Sequence, residues 1–282
     1  MRPRRALLLG ANAAALVAVV ALGGWDVLQV YTGVGLPVRS GEPMELVAHR
    51  GDLDHFPENT LEGIRAATEL PVEGIEFDTL MSADGTWWVI HDATLDRTTD
   101  GEGRVAEQRD ADIEATFIDG GIGFDPERHA GLRVPRLDAV LEALRGYEGR
   151  VYVDVQHAPS GVVDDLVPML EGLDAAILCR TLDDARRVKE LDAGIATYLR
   201  PEDGPADASV DGWLMEAFFE ADAGALQSAD LPVTTFVDEW RADGDESPII
   251  RRAWAIGVSA FLTKQPGSAV ETRDALRGGT SP

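Results

Sequence analysis

A single α/β domain closed into a TIM-type (β/α)8 barrel is the fold class that three features of the sequence predict. The chain is 282 residues long, close to the roughly 250 residues that one such barrel usually occupies. From Glu45 onward, short apolar runs of strand length alternate with stretches of helical length. The alternation gives eight βα-like repeats with no visible second domain, which favours a closed parallel barrel over an open sheet.

Leu46-Val47-Ala48 reads as the first strand and ends at His49-Arg50-Gly51. Asn59 or Thr60 is placed to cap a helix running to about Leu70, with Leu61, Ile64, Ala67 and Thr68 on one face. Gly74-Ile75-Glu76-Phe77-Asp78 is the second strand, and an Asp84-Gly85 turn returns Thr86 to Ile90 as a hairpin arm. Residues 92–135 are polar and rich in glycine, a small excursion after the second strand. A helix restarts over Pro135 to Leu144. Further strands are expected at Val151–Val155, Ala176–Leu178, Ile195–Tyr198, Trp213–Met215, Val233–Val237 and Ala260–Leu262, with helices notably at 182–191 and 247–256. The barrel domain is thus expected over 45–278.

Ahead of it, Arg2, Arg4 and Arg5 precede the uncharged run Ala6 to Gly24. Nineteen helical residues span about 28 Å, close to the hydrocarbon thickness of a bilayer. The arginine cluster orients such a segment with its N-terminus inside and the barrel extracytoplasmic. Ala21-Leu22-Gly23 offers a cleavage site for the rival reading, a signal peptide. The length of the run favours an uncleaved signal-anchor over residues 1–24, which would tie the domain to the cell membrane; cleavage would make it secreted. Residues 25–44 read as a linker.

Acidic residues outnumber basic ones two to one, for a net charge of -25. Such a surface argues against nucleic-acid partners, whose phosphates need Lys and Arg. Nor can its global field steer an anionic substrate, so any phosphate chemistry depends on local positive charge from a metal or a few placed arginines. The sole cysteine, Cys179, lies in an apolar run and reads as a buried structural thiol.

Four constellations can carry chemistry. His49-Arg50 follows a buried strand, and strand C-termini form the active mouth of a barrel. Glu76 and Asp78 are two apart on a strand and share a face; two inward carboxylates would be costly unless a hard divalent cation met them. His91-Asp92 leaves the hairpin arm, with His91 able to act as acid or base. Asp154 and Gln156 repeat the two-apart geometry, and Asp154 can supply a third oxygen ligand. His157 points to the other face and reads as structural or loop.

These pieces fall in a larger pattern. His49-Arg50-Gly51, Pro57-Glu58-Asn59-Thr60, Glu76-x-Asp78, Asp84-Gly85, Val89-x-His91-Asp92 and Leu95-x-Arg97-Thr98-Thr99-x-Gly101-x-Gly103 occur in order. Val134-Pro135-Arg136-Leu137 and Phe261-Leu262-Thr263-Lys264-Gln265-Pro266 follow. Together they resemble the signature of the glycerophosphodiester phosphodiesterases over roughly residues 45 to 270. The resemblance implies a TIM barrel, a bound Ca²⁺ or Mg²⁺, and hydrolysis of glycerophosphodiesters to glycerol 3-phosphate and an alcohol. By position it makes His49 and His91 the catalytic pair, Glu76 and Asp78 metal ligands, and Arg50 the phosphate contact.

The sequence departs from that pattern at three places. Asp154-x-Gln156 stands where the family usually has Glu-x-Lys, so Gln156 occupies the place of a phosphate-side cation. Lys264 stands where Asp is usual, and Thr234-Thr235-Phe236-Val237 matches the family's late-strand element poorly. Loss of the lysine leaves the metal and Arg50 to meet the phosphoryl charge. Two alternatives therefore remain beside the glycerophosphodiesterase reading: a lysophospholipase D-type enzyme acting on membrane-derived phosphodiesters, and a catalytically weakened barrel that binds a phosphodiester or metal. Oligomeric state is left open.

Overall fold

The computed structural model describes residues 44–156, 161–200, 207–216, 232–236 and 245–278. Expectations for the N-terminal segment, the linker before Met44 and His157 lie outside the described residues, among which no helix is long and apolar enough to cross a membrane.

Among the described residues nine strands form one sheet: β1 (Glu45–His49), β2 (Gly74–Met81), β3 (Trp87–Val89), β4 (Arg150–Val155), β5 (Ala175–Cys179), β6 (Ala196–Leu199), β7 (Gly212–Glu216), β8 (Val233–Phe236) and β9 (Ala260–Thr263). All but β3 pair in parallel in the order β1-β2-β4-β5-β6-β7-β8-β9. The β1–β9 pairing, Glu45 opposite Ala260 and Ala48 opposite Thr263, completes the ring. Every expected strand is present, within a residue of its expected bounds except β2, which runs three residues past Asp78 to Met81; Val237 lies outside the described residues. The described helices are α1 (Leu61–Ala67), α2 (Asp110–Ala115), α3 (Leu137–Ala143), α4 (Val163–Leu166), α5 (Leu182–Leu191), α6 (Ser247–Ile256) and α7 (Pro266–Gly278).

Alternation along the strands divides the core in two. Leu46, Ala48, Ile75, Phe77, Val151, Val153 and Ile177 face outward and pack against Ile64, Leu137, Val140, Val188 and Ile250 of the helices. Val47, Tyr152, Ala176, Leu178, Tyr198, Ala260 and Leu262 face inward and fill the barrel. Inward positions further toward the strand C-termini are polar: His49, Glu76, Asp78, Asp154 and Gln156 are all buried there.

Two helix boundaries differ from expectation. Helix α1 stops at Ala67 rather than Leu70 because Thr68 folds its hydroxyl back onto the Arg65 carbonyl, and Pro71 disfavours helical backbone at Leu70. Helix α3 starts at Leu137 because Pro135 and Arg136 are recruited by β3. Val89 N–H donates to the Pro135 carbonyl at 2.9 Å, and Trp88 bridges to Arg136. Helix α7, with Pro266 opening it, was not expected. Its Arg273 is buried and donates to Glu73 and to the Pro71 carbonyl, tying the last helix to the entry of β2.

The excursion has a core of its own. β2 outruns the barrel, so Thr79, Leu80 and Met81 pair antiparallel with Val89, Trp88 and Trp87. Leu80, Trp88 and Ile90 then pack on Leu95, Val105, Ile113, Ile118 and Val134. Trp88 is 1% exposed, donates to Asp110 Oδ1 at 3.2 Å and lies under the Arg136 guanidinium. Trp88→Ala should lower stability by about 3–5 kcal/mol, the scale of an aromatic deletion in a core. Denaturant unfolding measures it; a loss below about 1 kcal/mol would mean that this small core is not integral to the fold.

Candidate active site at the mouth of the barrel

Two parallel neighbours build the centre of the site. In the β2–β4 register Asp78 lies opposite Asp154, and Glu76 is one inward position below. Their carboxylate oxygens lie within 4.8 Å of one another, a group that can hold a metal ion. Burial first, then the Asp78 and Asp154 charges, drives the Glu76 pKa well above the ordinary carboxylate range. Burial likewise pushes Asp154 up to about 6, with Arg180 opposing and Asp78 reinforcing the rise. Three buried oxygen donors that repel one another fit a hard divalent cation, and fit a soft one poorly.

The residues around the cluster hold it in place. Asn59 Nδ2 donates to Asp78 Oδ2 at 2.8 Å, and Asp78 N–H donates back to Asn59 Oδ1 at 3.1 Å. Gln156 Nε2 donates to Asp78 Oδ1 and to Asp154 Oδ2, both at 2.8 Å. Arg50 has a φ of 60°, a conformation that costs a non-glycine residue about 1 kcal/mol or more. Its N–H donates to Glu76 Oε2 at 3.1 Å, and its carbonyl accepts from Asn59 N–H at 3.0 Å. Gly51 follows with φ 96°, where a Cβ would come within 2.8 Å of the Gly63 backbone.

Glu58 is the hub of the charged network. It receives Arg50 Nη1 at 2.5 Å, Arg97 Nη1 at 2.5 Å and the Ile122 N–H at 2.7 Å. Despite burial, which opposes ionisation, Arg97 and Arg50 hold its pKa down at about 2. Arg97 also grips Asp92 through Nε at 2.7 Å, and Asp92 Oδ1 lies 2.7 Å from His91 Nδ1. Thr60 completes the motif by capping α1, accepting from Gly63 N–H at 3.1 Å. Pro57-Glu58-Asn59-Thr60 thus joins excursion, helix and carboxylate cluster.

The two histidines have opposite electrostatic settings. Burial lowers the His49 pKa far below its usual value, and the fields of Arg50, Lys264 and His91 add to the fall. Its 3.7 Å approach to Glu76 Oε2 is therefore that of a neutral ring, not an ion pair. Burial also works against protonation of His91, but the Asp92 hydrogen bond and the Asp78 charge outweigh it and raise its pKa.

The structure brings His49, Arg50, Glu76, Asp78, Asp154 and Gln156 together, with His91 close enough to feel Asp78 and Arg50. It also places three further cations at the site: Arg180 and Arg200, which the sequence did not single out, and Lys264, noted there only as a departure from the family pattern. Arg180 Nη2 donates to Asp154 Oδ1 at 2.8 Å and to Gln156 Oε1 at 2.6 Å. Arg200 Nη2 is 3.9 Å from Asp154 Oδ2, and the Lys264 charge acts on His49. These three cations stand beside Arg50 at the mouth, additional to the positive charge expected from a metal and Arg50. A signal for all three existed. Ala176-x-Leu178-x-Arg180, Ala196-x-Tyr198-x-Arg200 and Ala260-x-Leu262-x-Lys264 continue the inward two-residue period one step beyond each strand.

A parallel α/β barrel with a buried carboxylate cluster and two histidines at its C-terminal mouth defines the class of the protein. Residues 49–193, just over half of the chain, match the glycerophosphoryl diester phosphodiesterase family. The chain belongs to this family. It is 40% identical over 126 residues to a glycerophosphodiester phosphodiesterase of Caldanaerobacter subterraneus subsp. tengcongensis, an alignment covering 45% of this chain and 49% of that protein. The matched segment spans about half the length of that relative and of a 34% identical one from Bacillus subtilis. A glycerophosphodiester phosphodiesterase structure from Agrobacterium tumefaciens superposes with a TM-score of 0.63 at 26% identity, covering 81% of this chain and 99% of that one. An Oleispira antarctica phosphodiesterase, solved with the product sn-glycerol-3-phosphate, has the same fold at TM-score 0.67 and 22% identity over 82% of this chain and 96% of that one.

The raised carboxylates make a prediction about stability. Asp154 ionises near 3.8 by reference and near 6 when folded. The folded chain therefore binds the proton more tightly than the unfolded one. Its contribution is present below about pH 4 and lost as the pH rises through about 6. A divalent cation bound at the cluster would replace the proton, so Ca²⁺ or Mg²⁺ should raise the Tm of EDTA-treated protein more at pH 7 than at pH 5. Equal shifts at both pH values, or an undiminished shift in Asp154→Asn, would contradict this.

Proposed function

We propose that this chain hydrolyses glycerophosphodiesters to glycerol 3-phosphate and an alcohol, with Ca²⁺ or Mg²⁺ held by Glu76, Asp78 and Asp154. The observation that carries the reading is the opposite tuning of His49, 3.7 Å from Glu76, and His91, within the field of Asp78, beside the carboxylate cluster. Acid–base catalysis needs one group that accepts a proton and another that holds one near neutral pH. His49, kept neutral, is suited to take the proton from the attacking nucleophile. His91, kept protonated by Asp92, is suited to deliver one to the departing alkoxide. The charge of Arg50 acts on both histidines, and its guanidinium offers positive charge to the phosphoryl oxygens. Bound in the cluster, the cation would supply Lewis-acid stabilisation of phosphoryl charge.

Asn59, Gln156 and Glu58 serve this arrangement by fixing the groups that act. Asn59 and Gln156 hold Asp78 between them from both oxygens. Glu58 aims Arg50 inward and, through Arg97, fixes the Asp92 carboxylate that orients His91. On the charge pattern of residues 1–24 we also place the domain outside the cytoplasm, on or near the membrane that would provide lipid-derived diesters.

³¹P NMR of sn-glycero-3-phosphocholine incubated with the protein tests the reading. Formation of glycerol 3-phosphate that stops on addition of EDTA is expected. His49→Ala and His91→Ala should each lower kcat/KM by about 10²-fold or more. The alkaline limb of the pH profile should sit above 6.5, and Asp92→Asn should move it to lower pH, because the hydrogen bond that raises the His91 pKa is lost. Turnover only of lysophosphatidylcholine would assign the chain to the lysophospholipase D reading. Turnover unaffected by EDTA, or a His91→Ala variant of near-normal rate, would overturn the mechanism.

A further inference from the structure

Resting on that reading, we propose that Arg180 is a phosphate-binding residue, holding the substrate's phosphoryl group from the side of the carboxylate cluster opposite Arg50. The strand order places it there: Arg50 follows β1, the carboxylates lie on β2 and β4, and Arg180 follows β5. The guanidinium is anchored at one edge only. Nε donates to the Val155 carbonyl at 2.9 Å, and Nη2 serves both Asp154 and Gln156. Among the described residues, Nη1 donates to none. The side chain is 26% exposed where Asp154 is 7% exposed, so it reaches solvent from a position bonded to the carboxylate cluster.

A merely structural reading would make Arg180 the counter-ion of Asp154 and nothing more. Two observations tell against it. Asp154 already receives Gln156 Nε2 on its other oxygen, so the carboxylate is fixed without the arginine. A cation among Glu76, Asp78 and Asp154 would draw off the Asp154 charge, and Arg180 would be left with a positive charge and a free N–H edge beside the site. The two N–H groups of Nη1 can then donate charge-assisted hydrogen bonds to phosphoryl oxygens. The same geometry explains the tolerance of glutamine at 156. Its Oε1 lies 2.6 Å from Arg180 Nη2, so a lysine at 156 would face a guanidinium across a hydrogen-bond distance. The positive charge of this subsite comes from β5 and is steadied by Gln156.

Calorimetric titration of the purified full chain, saturated with Mg²⁺ or Ca²⁺, separates these roles. The ligands are sn-glycerol 3-phosphate and inorganic phosphate, with the metal titrated in parallel. Arg180→Ala should weaken both anions by about tenfold or more, the scale of a lost charge-assisted bond. Its metal affinity should be unchanged or tighter, because a cation near the ligands has gone. Arg180→Lys should retain part of the anion affinity. Gln156→Lys alone should weaken anion binding or leave it unchanged, whereas Gln156→Lys in the Arg180→Ala background should restore most of what was lost. Anion affinity within twofold of wild type in Arg180→Ala would overturn the proposal, as would a loss that only follows a loss of metal. If wild type binds phosphate but not glycerol 3-phosphate and turns over no diester, the glycerophosphodiesterase reading fails while the phosphate titration still decides on Arg180.

Discussion

Crowding three carboxylates into a buried space within 4.8 Å of one another is the constraint from which the rest of the site follows. Carboxylates removed from water and set side by side resist ionisation, as the raised Glu76 and Asp154 show. The surrounding residues answer that cost in two ways. Asn59, Gln156 and the Arg50 N–H contribute donors, while Arg50, Arg180 and Arg200 contribute charge. None of these cancels the cluster fully, and a hard cation is what the donor set is fitted to receive. The chain places Arg50, Arg180, Arg200 and Lys264 at this mouth although its net charge is -25. Local placement, not the field of the whole molecule, sets the chemistry.

Barrel and excursion divide the labour. The barrel sets the carboxylates by strand parity and register, which a close-packed interior of Tyr152, Leu178, Tyr198 and Leu262 keeps from shifting. The excursion brings His91, Asp92 and Arg97, held on a separate core around Trp88. A chain of charged contacts joins the two: His91 to Asp92, Asp92 to Arg97, Arg97 to Glu58, Glu58 to Arg50 and Arg50 to Asp78. Glu58 is its midpoint, so the position of the proposed acid depends on the same carboxylate that aims the proposed phosphate-contacting arginine.

Much of this was legible in the residues alone. Apolar runs at strand length located the nine described strands, because a strand buried on both faces, as β4 and β5 are, leaves a dense hydrophobic signal. The period of two made Glu76, Asp78 and Asp154 neighbours before any coordinates. Arg180 and Arg200 escaped notice, and Lys264 stood out only as a departure from a motif, although all three obey the same period. Each lies one residue past its strand, where the apolar signal has ended and a single arginine looks like solvated loop. The recruitment of Pro135 by β3 was also hidden, since it depends on a pairing across about 45 residues rather than on local preference. Glu58 and Asn59 stood in plain view as part of a motif, yet their tasks depend on which long-range partners they meet.

The central claim is that Glu76, Asp78 and Asp154 hold one divalent cation. Anomalous diffraction from crystals of the protein soaked in Mn²⁺, a cation that favours the same oxygen ligands, tests it most directly. A single strong peak within about 2.0–2.6 Å of oxygens from all three side chains is the expected result. A peak elsewhere with none at the cluster, or no peak in crystals whose three carboxylates keep their arrangement, would contradict it.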